Sequence, residues 1–270
     1  MRRPYELIGR NDKEADPVWE RLESLRRTFF DVDQIVAVVP EIVWIGLPNT
    51  IILSLLACLI GLALGLGVAL MLLSDRRVVR LPARCYVDVL RGLPVVLTIY
   101  LVGQGLPIAG IRPFGQNSYA YAALALGLIE GAYMAEIFRS GILSVDRGQL
   151  EASRSLGLTY LQGMVLVVIP QGIRRVLPAL TGQFIHVIKG SSLVYLLGLL
   201  PEQREIFSIA SDASHVNATL SPLVAGGIAY LMLTVPLTYA VNAFDRHMRA
   251  SILSGRGERT VRPVTADAQA

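Results

Sequence analysis

Residues 148–170 read GQLEASRSLGLTYLQGMVLVVIP: a short polar helix-former, a glycine stop and a second, apolar helix-former, set between long apolar runs. Asp146 can cap the first helix through its carboxylate, and Gln149, three residues on, is placed to reach back to the free backbone donors. Gly157 suits a left-handed stop at the other end. Thr159 and Gln162 repeat the start signal, so an apolar helix is expected through Val165 to Ile169 until Pro170 interrupts it. The first helix, roughly 15 Å long at ~1.5 Å per residue, carries Gln149, Glu151, Arg154 and Ser155. The second carries almost nothing polar beyond its start. Such an elbow lets its first helix face water and a soluble partner while its second lies in or against a bilayer.

The rest of the chain supplies the bilayer segments. Apolar residues make up 53% of the sequence, and the charged ones are bunched between long neutral stretches, a distribution no soluble core needs. Ile42 to Ser74 and Gly92 to Ile111 hold no charge, and Ala213 to Phe244 holds none apart from His215. Each exceeds the ~20 residues needed to cross the hydrocarbon layer. Pro113 to Glu136 and Val176 to Pro201 are also long and apolar, but each carries an ionisable residue near its middle. The expected fold is therefore all-α and polytopic, with about five transmembrane helices.

Arginines orient these spans. Arg76, Arg77, Arg80, Arg84 and Arg91 lie in the first connection, Arg139, Arg147, Arg154, Arg174 and Arg175 around the elbow, and Arg246, Arg249, Arg256, Arg259 and Arg262 after the last span. The other two connections hold only Arg112 and Arg204. The positive-inside rule then puts the first connection, the elbow and the C-terminus in the cytoplasm, and five spans leave the N-terminus outside. The tail resists, with Arg2, Arg3, Arg10, Lys13, Arg21, Arg26 and Arg27, but long tails obey the rule less strictly. Ile35 to Leu47 is short for a sixth span and contains Pro40 and Glu41, so an interfacial amphipathic helix is expected there. No secretory signal peptide is recognisable, and the first span serves as its own targeting signal. The expected division is a tail and interfacial segment at 1–40, a membrane domain at 41–248 and a cytoplasmic tail at 249–270.

Several chemistries are disfavoured. Cys58 lies in a span and Cys85 in a connection, with no Cys-x-x-Cys spacing, and His186, His215 and His247 are scattered, so neither a disulfide nor a metal site is expected. Neither lysine follows a glycine, which rules out a phosphate-binding loop, and no cofactor is expected. Gly61, Gly65 and Gly67 follow no strand and make no dinucleotide site; Gly61 and Gly65 are a small-xxx-small pair suited to helix contact, a pattern common by chance. The basic clusters flank spans without interleaved aromatics, so no nucleic-acid partner is expected.

The run from Gly148 to Pro170 resembles the EAA loop of the permease subunits of ATP-binding-cassette importers, in particular their polar amino-acid uptake branch with its MetI-like fold. Arg91, Gly92, Leu93 and Pro94 resemble that branch's lead into the second span, and AYMAEIFRSG at 132–141 the end of its third. Pro170, Gln171, Arg174 and Pro178, then Lys189, Ser191, Ser192 and Leu193, continue the pattern, which covers roughly Leu47 to Phe244. Ser153 stands where a second alanine is usual, Leu93 where a small or hydroxyl residue is common, and Gly190 where a polar one is.

The resemblance implies a permease subunit that is not itself an enzyme. Its partners would be a dimer of ABC ATPase subunits, a second identical or related permease, an extracytoplasmic solute-binding protein and the lipid of a bacterial inner membrane. Gly148, Gln149, Glu151, Ala152, Ser153 and Gly157 would form the coupling helix, with Glu151 and Gly157 at the ATPase contact. Glu130, Tyr133, Lys189, Ser191 and Ser192 are candidates for the translocation pathway, and Arg91, Pro94, Glu136, Arg139, Pro170 and Pro178 for structural or interfacial roles. An unpaired charge in lipid is costly, by ~2.5–3.5 kcal/mol on insertion scales. Glu130 and Lys189, at similar depth by counting, are therefore expected to pair with each other or to meet a charged end of the cargo. Glu136 is expected to pair with Arg139, and Gly190 to Ser192 to loosen the fourth span. An ion-coupled secondary transporter and a non-transporting anchor that recruits an ATPase are the rival readings.

Overall fold

The computed structural model describes residues 18–254, with side chains through Ala243. The ends of both expected tails, residues 1–17 and 255–270, lie outside the described residues. Helix α1 (Val18–Phe29) leads to α2 (Val32–Glu41), which starts where the Asp31 carboxylate accepts from the Asp33 and Gln34 amides. Instead of stopping as a separate surface helix, α2 runs through a π turn at Ile42–Gly46 into α3 (Leu47–Leu72). Over Ile35 to Leu47, where an interfacial amphipathic helix is expected, Val38 and Ile42 are buried against Ile206, Ile209 and Ala225 while Val36, Val43 and Trp44 are exposed, and the helix continues into the first span.

Amphipathic α4 (Arg77–Gly92) follows, burying Ala83 and Val87. At Leu93 and Pro94 the chain turns by 112° into the second span, Val95–Ile108, made of α5 (Val95–Tyr100), a π turn (Leu101–Gly105) and α6 (Leu106–Ile108). Then come α7 (Ser118–Leu143), α8 (Arg147–Ser155) and α9 (Tyr160–Gly163). A π turn at Met164–Val168 joins α9 to α10 (Ile169–Gly190). A 3-10 stretch (Ser191–Leu197), α11 (Ile206–Asn217) and α12 (Ser221–Ser254) complete the described chain. Among the described residues four helices are long and apolar enough to cross a membrane, or five if the bent pair of α4 and Val95–Ile108 counts as one span.

Each π turn sits just before a proline in the second position of the following helix: Pro48, Pro107 and Pro170. Proline lacks an N–H and its ring presses on the carbonyl four residues back. Widening the turn relieves that pressure: the Leu47 amide bonds to the Ile42 carbonyl and the Ile169 amide to the Met164 carbonyl, each five residues back. Pro170 therefore does not end its helix, as expected from the sequence, but is absorbed into it.

The expected apolar run from Ala213 to Phe244 is also two elements. Ala218 takes a left-handed conformation with φ 49° and separates α11 from α12. Thr219 and Ser221 hold the start of α12 through hydrogen bonds to the Thr28 carbonyl, which tie it to the end of α1.

Helix α7 is the centre of the bundle, with Ala122, Ala125, Leu126 and Ile129 buried against Leu53 and Ala57 of α3, Ile99 of α5 and Val187 of α10. Glycines allow the close approach of α3 and α7 from both sides. A Cβ on Gly61 would come within 2.9 Å of the Glu130 Cβ and one on Gly65 within 2.8 Å of the Met134 Cβ. Conversely, one on Gly127 would lie 2.6 Å from the Ile60 Cβ. The small-xxx-small pair given little weight above is thus half of a reciprocal contact.

Candidate functional site

The elbow is built from local signals. Asp146 caps α8 by accepting the Gly148 amide at 2.7 Å. The other end closes in a Schellman motif: Gly157 at φ 90° donates to the Arg154 carbonyl and Leu158 to the Ser153 carbonyl. Thr159 and Gln162 form a reciprocal capping box at the start of α9. Gln149 does not reach back to the backbone; its side-chain oxygen accepts from Gln171 at 3.3 Å and so bridges α8 to α10. That correction follows from the 22-residue separation of the two glutamines, which only the folded elbow closes.

The faces of α8 divide cleanly. Ser153 is buried, its hydroxyl bonded to the Leu150 carbonyl, and it packs on Gly163. Gly148, Gln149, Glu151, Ala152 and Gly157 are exposed, and so is Leu156, at 85%. Arg175 anchors the same region by donating to the carbonyl of Ser144, just past the end of α7. Glu136 and Arg139 pair at 3.2 Å on the last turns of α7, and Pro178 sits inside α10, where the Thr181 hydroxyl donates to the Leu177 and Pro178 carbonyls.

Mid-span, Glu130 is 3% exposed, but its partner is not Lys189. Gln183 Nε2 donates to Glu130 Oε2 at 2.6 Å, and His186 Nδ1 lies 3.6 Å from Oε1. Matching depths along two helices do not fix their rotation: positions 183 and 186 of α10 face α7, while Lys189 is exposed one turn further on. Tyr133 is half-buried with the Arg91 guanidinium 5.3 Å from its ring centroid, a cation–π contact beside the bend at Pro94. The α10 helix tightens to 3-10 geometry at Ser191, and the Ser191 and Ser192 hydroxyls bond back to the Ile188 and Lys189 carbonyls.

A third polar group had no sequence signal. At the end of the bundle away from the elbow, Glu205 is fully buried and caps α11, accepting the Phe207 and Ser208 amides at 2.7 and 2.6 Å, the Ser208 hydroxyl and the Tyr230 hydroxyl at 2.8 Å. Burial pushes its carboxyl above the usual carboxylate range against the opposing pull of these donors. Arg204 bridges Glu41 and Asp212, Asn49 donates to the Glu202 and Arg204 carbonyls, and Thr50 receives the Ile206 amide. A cavity of about 310 Å³ opens near the same end, lined by Gln104, Arg112, Gln116, Tyr121 and Leu197 among others; none of the pathway candidates lines it. Among the described residues no cluster of His, Cys, Asp or Glu could hold a metal ion.

Residues 58–250 match the family described as binding-protein-dependent transport system inner membrane component. The arginine transport system permease protein ArtQ of Bacillus subtilis (strain 168) is 33% identical over 217 residues, 80% of this chain and 97% of that protein. The octopine transport system permease protein OccM of Rhizobium radiobacter is 34% identical over 195 residues, covering 70% and 78%. A crystal structure of an amino acid ABC transporter with histidines superposes with a TM-score of 0.69 at 32% identity, over 80% of this chain and 98% of that one.

Proposed function

This chain belongs to the inner membrane components of binding-protein-dependent transport systems, as a permease subunit of an ATP-binding-cassette importer, and we propose that it carries polar amino acids or close relatives such as opines inward. Two copies, or one copy and a related permease, enclose the pathway. A pair of separate ATPase subunits hydrolyses ATP, and an external solute-binding protein delivers the cargo. The N-terminus lies outside and the C-terminus in the cytoplasm, in keeping with the arginine distribution. The membrane domain spans 41–248 between the two tails.

The observation that carries this reading is the division of α8. Its inner face is fixed by Ser153 on Gly163, while Glu151 and Leu156 stand exposed on a rigid, doubly capped segment. A helix held this firmly transmits a push as a rigid body, so closure of the ATPase pair on it tilts the spans and alternates access to a site near mid-bilayer. Tyr133, Lys189 and Ser192 line that route in our reading, with Glu130 and Ser191 buried behind them.

The test is reconstitution of the chain with its ATPase and solute-binding partners in vesicles, with Glu151→Cys as a cross-linking site. ATP-dependent uptake of an amino acid and a cross-link to the ATPase subunit are expected. Uptake driven by an ion gradient without ATP, or labelling of the Glu151→Cys position from outside intact cells, overturns the reading.

A further inference from the structure

Helix α4 has three faces of different kind, separated cleanly at about 100° of rotation per residue. On the first, Ala83 and Val87 are buried with Leu72 of α3 and Ala135 of α7, and the half-buried Tyr86 donates its hydroxyl to the Leu128 carbonyl at 2.7 Å. That clamp fixes the roll of the helix. On the second, Val78, Leu81, Pro82, Cys85 and Val89 are all exposed, Val78 at 86% and Leu81 at 70%. The third carries Arg77, Arg80, Arg84 and Arg91, with Asp88 as the one acid of α4, 3.9 Å from Arg84. Arg91 is held over the Tyr133 ring, which leaves three arginines turned outward.

The chain turns by 112° between α4 and Val95–Ile108, so α4 runs along the membrane that the second segment enters. Leu73 and Asp75, just before α4, share a cavity of about 360 Å³ with Asp146, Leu150 and Tyr160, which puts the helix on the elbow's side. An apolar strip left to water there would be costly. A second copy is a poor cover: a two-fold axis along the membrane normal sets two in-plane helices antiparallel, and the basic flank of one then meets the basic flank of the other. Lipid meets both faces at once. The last turn of α3 exposes Leu70 and Met71 just before α4, so the apolar strip continues the lipid-facing surface of the bundle, and the arginines beside it sit where headgroups begin.

We propose that α4 is a docking surface for anionic phospholipid: Val78, Leu81, Cys85 and Val89 dip into the acyl boundary of the inner leaflet, and Arg77, Arg80 and Arg84 hold the headgroup phosphates. Only the choice of leaflet rests on the reading of the elbow as cytoplasmic. Arginine suits this task because its planar fork of donors matches phosphate oxygens. Since α4 leads through Leu93 and Pro94 directly into the second span, lipids bound along it hold the inner end of that span in place.

The test uses the full chain with Cys58→Ala, which leaves Cys85 as the one thiol, labelled with a small fluorophore and placed in nanodiscs of phosphatidylcholine with a minor share of phosphatidylglycerol. Lipids with brominated acyl chains are expected to quench the label, and aqueous iodide is not. At equal mole fraction, brominated phosphatidylglycerol is expected to quench about threefold or more as strongly as brominated phosphatidylcholine, since several arginines draw the anionic lipid. The triple variant Arg77→Gln, Arg80→Gln, Arg84→Gln should lose that preference and keep the quenching by lipid. Molar salt on the unsubstituted arginines should do the same, and it serves where the triple variant is not recovered. Quenching by iodide, shielding from both kinds of quencher, equal quenching by the two brominated lipids, or a preference that survives both the triple variant and molar salt overturns the proposal. So does loss of lipid quenching when the ATPase subunits are added, which would give this face to a protein. None of these readouts involves cargo or ATP, so they leave the amino-acid reading untouched; labelling of the Glu151→Cys position from outside would instead overturn the choice of leaflet together with the reading of the elbow.

Discussion

A Cβ placed on Gly163 would stand 2.4 Å from the hydroxyl oxygen of Ser153, closer than the two atoms can lie. The glycine of α9 is therefore the seat of α8, and Leu150 Cδ1 at 2.9 Å closes the other side of it. Ser153 cannot swing away without breaking its bond to the Leu150 carbonyl. Gly163→Ala is expected to destabilise the elbow by about 1–3 kcal/mol, the usual cost of overpacking. Ser153→Ala alone should be nearly neutral, and the double variant should recover part of the loss, since it removes the atom in the way. Thermal unfolding of the purified chain gives the order, and a double variant no better than Gly163→Ala would refute the packing argument.

The paired glycines of α3 and α7 predict a sharp contrast between neighbours in sequence. Gly65→Val places atoms against the Met134 Cβ and the Ala135 amide, whereas a Cβ at Gly67 meets nothing within 4 Å. Gly65→Val is expected to abolish recovery of monodisperse protein and Gly67→Val to leave it near wild type. Size-exclusion profiles of the two variants at equal expression decide the matter; similar profiles would mean that α3 and α7 do not meet through these glycines.

How much of this was legible in the sequence depended on range. The Asp146 cap, the Gly157 stop and the Thr159–Gln162 box use atoms within a few residues of each other, so spacing alone announced them. The charge-free run from Ile42 to Ser74 likewise marked a span, because hydropathy needs no partner, whereas the run from Ala213 breaks at Ala218. The pairing of Glu130 depended on the rotation of α10 about its axis, and counting depth says nothing about rotation. Pro170 carried a helix-breaking signal that the π turn just before it neutralised. The Glu205 network was invisible because Thr50, Glu205 and Tyr230 come from three separate elements and none belongs to a motif.

Glu205 ties α11 to α12 through Tyr230 and satisfies the first amides of α11. Glu205→Ala leaves two amides and two hydroxyls without their acceptor in a buried site, and each buried unsatisfied group costs about 1–3 kcal/mol. The variant is expected to lose most of the stability of that end. Tyr230→Phe removes one hydrogen bond while keeping the packing and should cost about 0.5–1.5 kcal/mol. Midpoints of thermal unfolding should fall in the order wild type, Tyr230→Phe, Glu205→Ala. A Glu205→Ala protein as stable as the phenylalanine variant would show that water reaches the site and replaces the carboxylate.

Leu156 and Glu151 should behave in the opposite way, harmless to the fold and damaging to coupling. Both side chains are exposed, and although Leu156 is the C-cap residue of α8 only its backbone serves the cap, so substitution of either side chain is expected to change stability by roughly 0.5 kcal/mol or less. Leu156, at 85% exposure at a helix end, has the form of an apolar anchor, and if α8 docks on the ATPase as proposed, Leu156→Asp puts a charge into that contact. The expected result is an unchanged unfolding midpoint with at least a tenfold loss of ATPase subunits retained on the purified permease. Glu151→Ala should lower ATP-driven uptake with a smaller loss of retention, since it removes a polar contact and leaves the apolar one. Full retention of the ATPase by both variants would mean that α8 is not where the two proteins meet.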